Sequence, residues 1–224
     1  MNFSPDQLII VDWGWGRLNA TILFTWFEML LLVLGSRLIT RKLSSGPSMS
    51  RWQNLLEILV GTIANQIELL TRQKPDSFLP FIGTLFLFIL LSNLLSVIPF
   101  YKPPTASLST TSALALCVFV AVPYYGLATR SVTSYLRQYI EPSFFMLPFN
   151  IIGDLSRILA LAVRLYGNVM SGTIIGFVLL LIVPLFLPVA MQALGLLTGS
   201  IQAYIFALLA MVYIASVLKM DGNS

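Results

Sequence analysis

The sequence predicts an all-α integral membrane protein with five transmembrane helices and one amphipathic helix on the membrane surface. Of its 224 residues, 57% are hydrophobic and only 10% are charged, whereas soluble domains average about 25% charged residues. Five apolar stretches are about 20 residues long or longer, which is the length that an α-helix needs to cross a bilayer. We therefore expect one membrane domain over residues 1–224.

The apolar stretches give the order of the crossings. They cover residues 20–39, 78–98, 110–128, 149–183 and 189–218. Asn19 stands where a side-chain cap of the first helix would lie, and Pro184 and Pro188 separate the last two helices. Because those two exceed the ~20 residues that cross a bilayer, we expect them to be tilted or to extend beyond it.

Residues 52–70 follow a different pattern from the crossings. Apolar side chains such as Leu59, Ile63 and Ile67 recur at helical spacing, whereas Glu57 and Glu68 interrupt the segment. This pattern is typical of an amphipathic helix that lies on the membrane surface or against a partner.

The basic residues are distributed asymmetrically about the crossings. One side, reached after the first, third and fifth crossings, carries Arg37, Arg41, Lys42, Arg51, Arg130, Arg137 and Lys219. The other side carries Arg17 and Lys102. The positive-inside rule therefore predicts an external N-terminus and a cytoplasmic C-terminus, and an odd number of crossings agrees with this orientation.

Composition argues against several function classes. The net charge of +4 comes from basic residues at the ends of apolar segments, which does not indicate nucleic-acid binding. The sequence has no histidine, the commonest metal ligand and the usual proton shuttle near neutral pH. Its single cysteine, Cys117, excludes a disulfide framework, and no phosphate-binding loop is present. We expect no metal, no cofactor and no catalysis of ATP chemistry by this chain.

Arg164 lies deep in the fourth crossing, where a charge costs at least ~3 kcal/mol and arginine keeps its proton. Polar residues recur on this helix at Asn150, Asp154, Arg157, Arg164 and Asn168. At 3.6 residues per turn these residues project to one side, which should face protein or water. Asp154 and Arg157 are expected to pair, and Arg157 is too far away to neutralise Arg164 as well. Polar helix packing is the alternative for Asn150 and Asp154.

The last crossing carries Gln202, whose amide is able to hydrogen-bond to the arginine helix. Interhelical packing and an ion pathway explain this glutamine equally well. The patterns Gly172-Thr-Ile-Ile-Gly176 and Gly195-Leu-Leu-Thr-Gly199 predict close helix approach, although such patterns are common.

Three further polar residues, Asn93, Ser107 and Glu28, lie in or next to the first three crossings. Asn93 and Ser107 flank the outer ends of the second and third crossings, so they are candidates for a wetted entrance. Glu28 lies in the first crossing, and its sequence context assigns it no function beyond a position near an interface.

Two motifs together resemble subunit a of F-type ATP synthases. Arg164-Leu-Tyr-Gly-Asn168, followed by Gly172, resembles the arginine-helix signature of that family. Gln202-Ala-Tyr-Ile-Phe206 resembles the companion motif of the last helix, and Tyr213 falls where the family often has tyrosine. The similarity covers nearly the whole chain. Ser4-Pro-Asp-Gln7 and Asp154-Leu-Ser-Arg157 look more like the alternative, N-type bacterial branch.

The resemblance implies a non-catalytic stator in the membrane (Fo) sector, in a bacterial plasma membrane rather than an organellar inner or thylakoid membrane. Its implied partners are a ring of c subunits, each with one membrane carboxylate that faces Arg164, and the b-type subunits of the peripheral stalk. Two half-channels would carry H⁺ or Na⁺ to and from the ring. The residues implied in ion translocation are Arg164, Asn168, Gln202, Asp154, Arg157, Asn150 and Tyr213.

One departure from the family weakens a simple proton relay. Many members have ionisable residues where this chain has Thr173 and Gly195, so its outer half-channel would depend on water and on neutral groups such as Asn93, Ser107 and Gln202. A secondary transporter is an alternative class, but no internal repeat or paired interrupted helices are evident. A membrane insertase with a buried arginine would not explain Gln202 or Asn168.

Overall fold

The structure is a computed structural model that describes residues 9–12, 17–41, 51–71, 74–98, 101–129, 145–182 and 187–218. The described residues form six α-helices, namely α1 (Ala20–Thr40), α2 (Arg51–Thr71), α3 (Leu79–Leu95), α4 (Leu108–Thr129), α5 (Met146–Ile182) and α6 (Leu187–Leu218). Short 3-10 turns at Pro75–Ser77 and Pro104–Ala106 precede α3 and α4. The helical architecture that the sequence predicts is therefore confirmed.

A short antiparallel ribbon precedes α1 and was not part of the all-α prediction. Strand β1 (Ile9–Asp12) pairs with β2 (Arg17–Asn19). Asn19 ends β2 and occupies the position before α1, but its side chain makes no capping hydrogen bond. Asn19 therefore occupies the predicted N-cap position, but the predicted capping hydrogen bond is not formed.

Four helices are long and apolar enough to cross a membrane, and they are α1, α4, α5 and α6. Helix α3 has 17 residues, or about 26 Å at 1.5 Å per residue, against a hydrocarbon core of about 30 Å. It ends at Leu95, short of the predicted residue 98, because the chain turns at Ser96. The protein is a multi-pass membrane protein, and the fifth crossing, which would be α3, stays a prediction.

Helices α5 and α6 have the length that the sequence predicts. With 37 and 32 residues, they are about 55 and 48 Å long. Both exceed the bilayer core, so the tilt or extension that we expect is consistent with their lengths.

Helix α2 is amphipathic in the predicted way. Ile67 is fully buried, and Leu59 and Ile63 pack against the hydrophobic core. Glu57 and Glu68 are exposed. The apolar side of α2 packs on α3 and α6, while its location at the membrane surface stays a prediction.

Helix α6 is the centre of the bundle, since α2, α3, α4 and α5 all pack against it. Phe206, Ala210 and Ile214 of α6 are buried, and Leu161 and Leu165 of α5 are buried with them in the core. Large apolar side chains such as Trp26 of α1 are exposed instead. Apolar outer surfaces are expected of a helix bundle whose solvent is lipid.

Several residues used in the sequence predictions lie outside the described part of the chain. They are Ser4 to Gln7, Lys42, Arg130, Arg137, Pro184 and Lys219. The orientation of the termini, which depends mainly on these basic residues, stays a prediction.

Candidate ion pathway

Arg164 lies on the exposed side of α5. Its neighbours Leu161 and Leu165 are buried in the core, so the helix turns the guanidinium away from its own bundle. Among the described residues, none forms a hydrogen bond or ion pair with Arg164. The unpaired charge that the sequence indicates is therefore present on the outside of the bundle.

The polar stripe continues toward the N-terminal end of α5. An Arg157 Nη1 atom donates to Asp154 Oδ1 at 3.2 Å, which confirms the predicted pair. The guanidinium of Arg157 also lies 5.8 Å from the centre of the Tyr213 ring on α6, a distance typical of a cation–π contact. Asn150 is half-buried and has a partner of its own. The stripe thus links α5 to α6 at this end.

Gln202 is buried on α6, and its Nε2 atom has no hydrogen-bond partner among the described residues. The expected hydrogen bond from this amide nitrogen to the arginine helix is not formed, because Arg164 lies on the exposed side of α5. Helices α5 and α6 run antiparallel, since Arg157 contacts Tyr213 and Asn168 shares a cavity with Gly199. That register sets Arg164 and Gln202 at about the same depth.

A cavity of about 320 Å³ opens between α3, α5, α6 and the loop that follows α3. Its polar lining consists of Asn93, Ser96, Tyr101, Lys102, Asn168, Thr173 and Gln192. Asn168 lies four residues from Arg164, which is about 6 Å along the helix axis. Tyr101 and Lys102 belong to the loop that the sequence predicts to be external. The cavity therefore extends from that loop to within one helical turn of the arginine.

Glycines account for the open space in this cavity. A Cβ atom on Gly172, Gly176 or Gly195 would meet nothing within 4 Å, so these glycines do not mediate the close helix approach that their spacing predicts. Gly199 differs, because a Cβ there would lie 3.0 Å from the Cβ of Asn93. The close approach is thus between α6 and α3.

Asn93 uses that close approach to connect two helices. Its Nδ2 atom donates to the Gly199 carbonyl oxygen at 2.8 Å, and its Oδ1 atom accepts from the Thr105 hydroxyl at 3.4 Å. The Thr105 and Ser92 hydroxyls lie 3.2 Å apart. Asn93 therefore lines the cavity as one member of a buried polar network.

Ser107 has a different setting. It is fully buried, and its Oγ atom accepts from the Thr110 amide at 3.4 Å at the start of α4. It is adjacent to Ala106, which lines the cavity, but Ser107 itself is not among the lining residues. A wetted role for Ser107 stays a prediction.

Glu28 is the polar residue whose environment the sequence did not reveal. It is fully buried on α1, where it faces Ser92 of α3 and Tyr101 of the following loop. Neither carboxylate oxygen has a geometrically satisfactory hydrogen bond within the described ranges. The sequence feature that could have identified Glu28 is its position as an acidic residue within an apolar crossing, because such residues are usually functional.

Comparison with known proteins decides the family. Residues 22–215 match the family described as ATP synthase A chain. The chain belongs to this family. It is 62% identical over all of its length to ATP synthase subunit a 2 of Acaryochloris marina, of which the match covers 96%. It is 57% identical to ATP synthase subunit a 1 of Crocosphaera subtropica over 99% of this chain and 96% of that protein.

A third relative, from Albidiferax ferrireducens, is named ATP synthase subunit a and is 57% identical over 98% of this chain and 95% of that protein. Membership in the ATP synthase A chain family confirms the resemblance to subunit a of the Fo sector. It also confirms that the chain is a non-catalytic subunit rather than an enzyme. This family membership does not favour the alternatives of a secondary transporter or a membrane insertase.

Proposed function

We propose that this chain is the ion-conducting stator subunit of a rotary ATP synthase and that Arg164 faces the carboxylates of a ring of c subunits. The observation that carries the proposal is the guanidinium of Arg164, which is exposed on a membrane-spanning helix and has no counter-charge in the described chain. Because a lone charge in lipid costs several kcal/mol, the counter-charge has to come from another subunit.

The surface beside Arg164 suits a partner helix. Gly153, Ala160 and Gly167 recur every seven residues along α5, on the same side as the arginine. A Cβ atom on Gly153 or Gly167 would meet nothing within 4 Å. Small residues allow helices in membranes to approach closely, so this row supports direct packing of ring helices next to the arginine.

The cavity of about 320 Å³ supports an outer half-channel. An ion that enters beside Lys102 would pass Asn93 and reach the ring near Asn168, one turn from Arg164. There it would neutralise a ring carboxylate, which allows that c subunit to move into lipid. The polar lining and the nearby loop are what a water-filled access path requires.

The opposite half-channel would lie at the N-terminal end of α5. Asp154 and Arg157 remain partly exposed there, with side-chain exposures of 27% and 57%, and Tyr213 lies beside them. After a ring carboxylate releases its ion on this side, its negative charge would be attracted to Arg164. Asn150 would belong to the polar surroundings of this path, whereas Gln202, at about the depth of Arg164, would belong to those of the outer half-channel.

Arg164 has two tasks in this mechanism. It pairs transiently with each ring carboxylate that has lost its ion, and as a fixed cation it repels an ion that would leak directly between the half-channels. Arginine suits both tasks better than lysine, because lysine loses its proton more readily when desolvated. One charge moving down ~100 mV releases about 2.3 kcal/mol, so several ions are needed per ATP, which a ring provides.

The membrane and the partners follow from the same proposal. We infer a bacterial plasma membrane, an external N-terminus, a cytoplasmic C-terminus, and b-type subunits that hold the stator. The motifs at residues 4–7 and 154–157 support membership in the N-type branch. Either H⁺ or Na⁺ is compatible with the neutral residues Thr173 and Gly195 on the outer cavity.

Purification of the complex from its own membranes tests the assembly. We expect a tagged version of this chain to co-purify with a c ring and b-type subunits, and a complex without the ring would contradict the proposal. The ion is identified by ATP-driven uptake of labelled sodium and by acidification of the same vesicles, with and without a protonophore. Sodium uptake that survives the protonophore would exclude obligate proton coupling.

A further inference from the structure

We propose that Glu28 is a proton-binding carboxyl group of the outer half-channel. The inference rests on the proposed function, because it assigns a role within the same ion path. Sequence position alone gave Glu28 no role, and it lies on α1, far along the chain from Arg164.

The environment of Glu28 favours the protonated form of its carboxyl group. The residue is fully buried in a membrane-spanning helix, and both of its oxygens lack a satisfactory hydrogen bond among the described residues. An isolated ionised carboxylate in such a place costs several kcal/mol. A protonated carboxyl group avoids most of that cost, so the site has a reason to take up a proton.

The charged groups near Glu28 do not explain its burial by an ion pair. Helix α3, which packs against α1, carries no charged residue and presents Ser92. The described acidic side chains of α2, Glu57 and Glu68, are exposed. Tyr101 is the titratable group that faces Glu28. The basic residues on the other elements that contact α1 are Arg17 of β2 and Arg51 of α2, and Lys102 follows Tyr101. Among the side chains that the structure describes, no cation pairs with Glu28, so a structural ion pair does not explain its burial.

Tyr101 connects Glu28 to the cavity. It faces the carboxylate and also lines the cavity of about 320 Å³. Burial, together with the charge of Glu28, raises the pKa of the Tyr101 phenol. The phenol therefore stays protonated at physiological pH and is a neutral donor beside the carboxylate. The Tyr101 phenol would pass its proton to a Glu28 oxygen while its own oxygen takes a proton from cavity water, and the reverse transfer would return the proton, so that only O–H bonds form and break.

A second route leads from Glu28 toward α6. Ser92 faces Glu28 and lies 3.2 Å from Thr105 between their hydroxyl oxygens. Thr105 donates to Asn93, which donates to the Gly199 carbonyl oxygen at 2.8 Å. Hydrogen-bonded groups therefore extend from Ser92, which faces Glu28, to the helix that carries Gln202. Such a network fixes the position of Ser92 beside the carboxyl group.

Passive proton conduction by the membrane sector tests the proposal. The complex is reconstituted in liposomes, its catalytic sector is removed, and the fluxes of protons and of labelled sodium under an imposed potential are followed from pH 6 to pH 9. Glu28→Gln should reduce the flux at least tenfold while the ring still co-purifies. Glu28→Asp should keep measurable flux with a shifted pH dependence. The matched control Glu68→Gln, which changes an exposed carboxylate of α2, should conduct as the natural protein does.

The outcomes separate this inference from the proposed function. If the unaltered complex conducts neither ion, the proposed function fails, and with it the role of Glu28. If it conducts protons and Glu28→Gln conducts within twofold of it, only the inference fails. Conduction of Na⁺ without protons likewise overturns the inference. If Glu28→Gln does not assemble, the variants Glu28→Asp and Tyr101→Phe test the inference instead. An unchanged pH dependence of the proton flux in both variants would overturn the role of the carboxyl group.

Discussion

Replacement of Gly199 by alanine tests the contact between α6 and α3 that shapes the cavity. The new Cβ would lie 3.0 Å from Cβ and Cγ of Asn93 and 3.2 Å from its Nδ2, so the asparagine has to move. Its 2.8 Å hydrogen bond to the Gly199 carbonyl would be lost or weakened. A buried polar group left without its partner costs about 1–3 kcal/mol.

Gly195→Ala is the matched control for this prediction. Gly195 lies one turn earlier on the same helix and lines the same cavity, but its Cβ would meet nothing within 4 Å. Each change from glycine to alanine gains up to about 1 kcal/mol in helix propensity, and this gain cancels when the two variants are compared. Gly199→Ala should therefore be less stable than Gly195→Ala by about 1–3 kcal/mol.

Unfolding in mixed detergent micelles, followed by tryptophan fluorescence, measures this difference. The Asn93→Gly variant adds a second check, because in its background both the contact with the Asn93 Cβ and the hydrogen bond are absent. There the difference between the two glycine variants should shrink toward zero. Equal stability of Gly199→Ala and Gly195→Ala in the natural background would refute the reasoning.

Two further predictions concern α5. Asp154→Asn should change the free energy of unfolding by less than about 1 kcal/mol, because the ion pair of Asp154 with Arg157 is partly exposed. The same variant should slow ATP-driven ion transport in vesicles. An unchanged transport rate would leave Asp154 as a structural partner of Arg157. Gly167→Leu should prevent co-purification of the c ring, because the leucine side chain would fill the open space beside Arg164. The control variant Leu155→Ala, on the opposite side of α5, should keep the ring. Retention of the ring by Gly167→Leu would exclude docking of the ring on this surface.

The sequence predicts what depends on nearby residues. The lengths of α5 and α6 follow from long, predominantly apolar stretches, and the Asp154–Arg157 pair follows from a spacing of three residues on a helix. The amphipathic pattern of α2 likewise predicts which of its residues pack against the core.

Contacts between distant segments were not predictable in the same way. Asn93 and Gly199 are 106 positions apart in the chain, and the approach of Glu28 to Tyr101 depends on how α1 packs against the loop before α4. The expected hydrogen bond of the Gln202 amide nitrogen failed for the same reason, since helix periodicity does not fix how α5 is rotated relative to α6. The small-residue patterns predicted close contact at Gly172, Gly176 and Gly195, where the packing leaves a cavity, and only Gly199 makes such a contact.

The most direct test of the central claim is ATP-driven ion transport by reconstituted complexes that carry Arg164→Ala. Assembly should be intact, because the Arg164 guanidinium is exposed and makes no hydrogen bond or ion pair among the described residues. Transport should nevertheless be abolished, because no fixed cation would remain to pair with the ring carboxylates or to block a leak. Ion pumping at the normal rate by this variant would contradict the account.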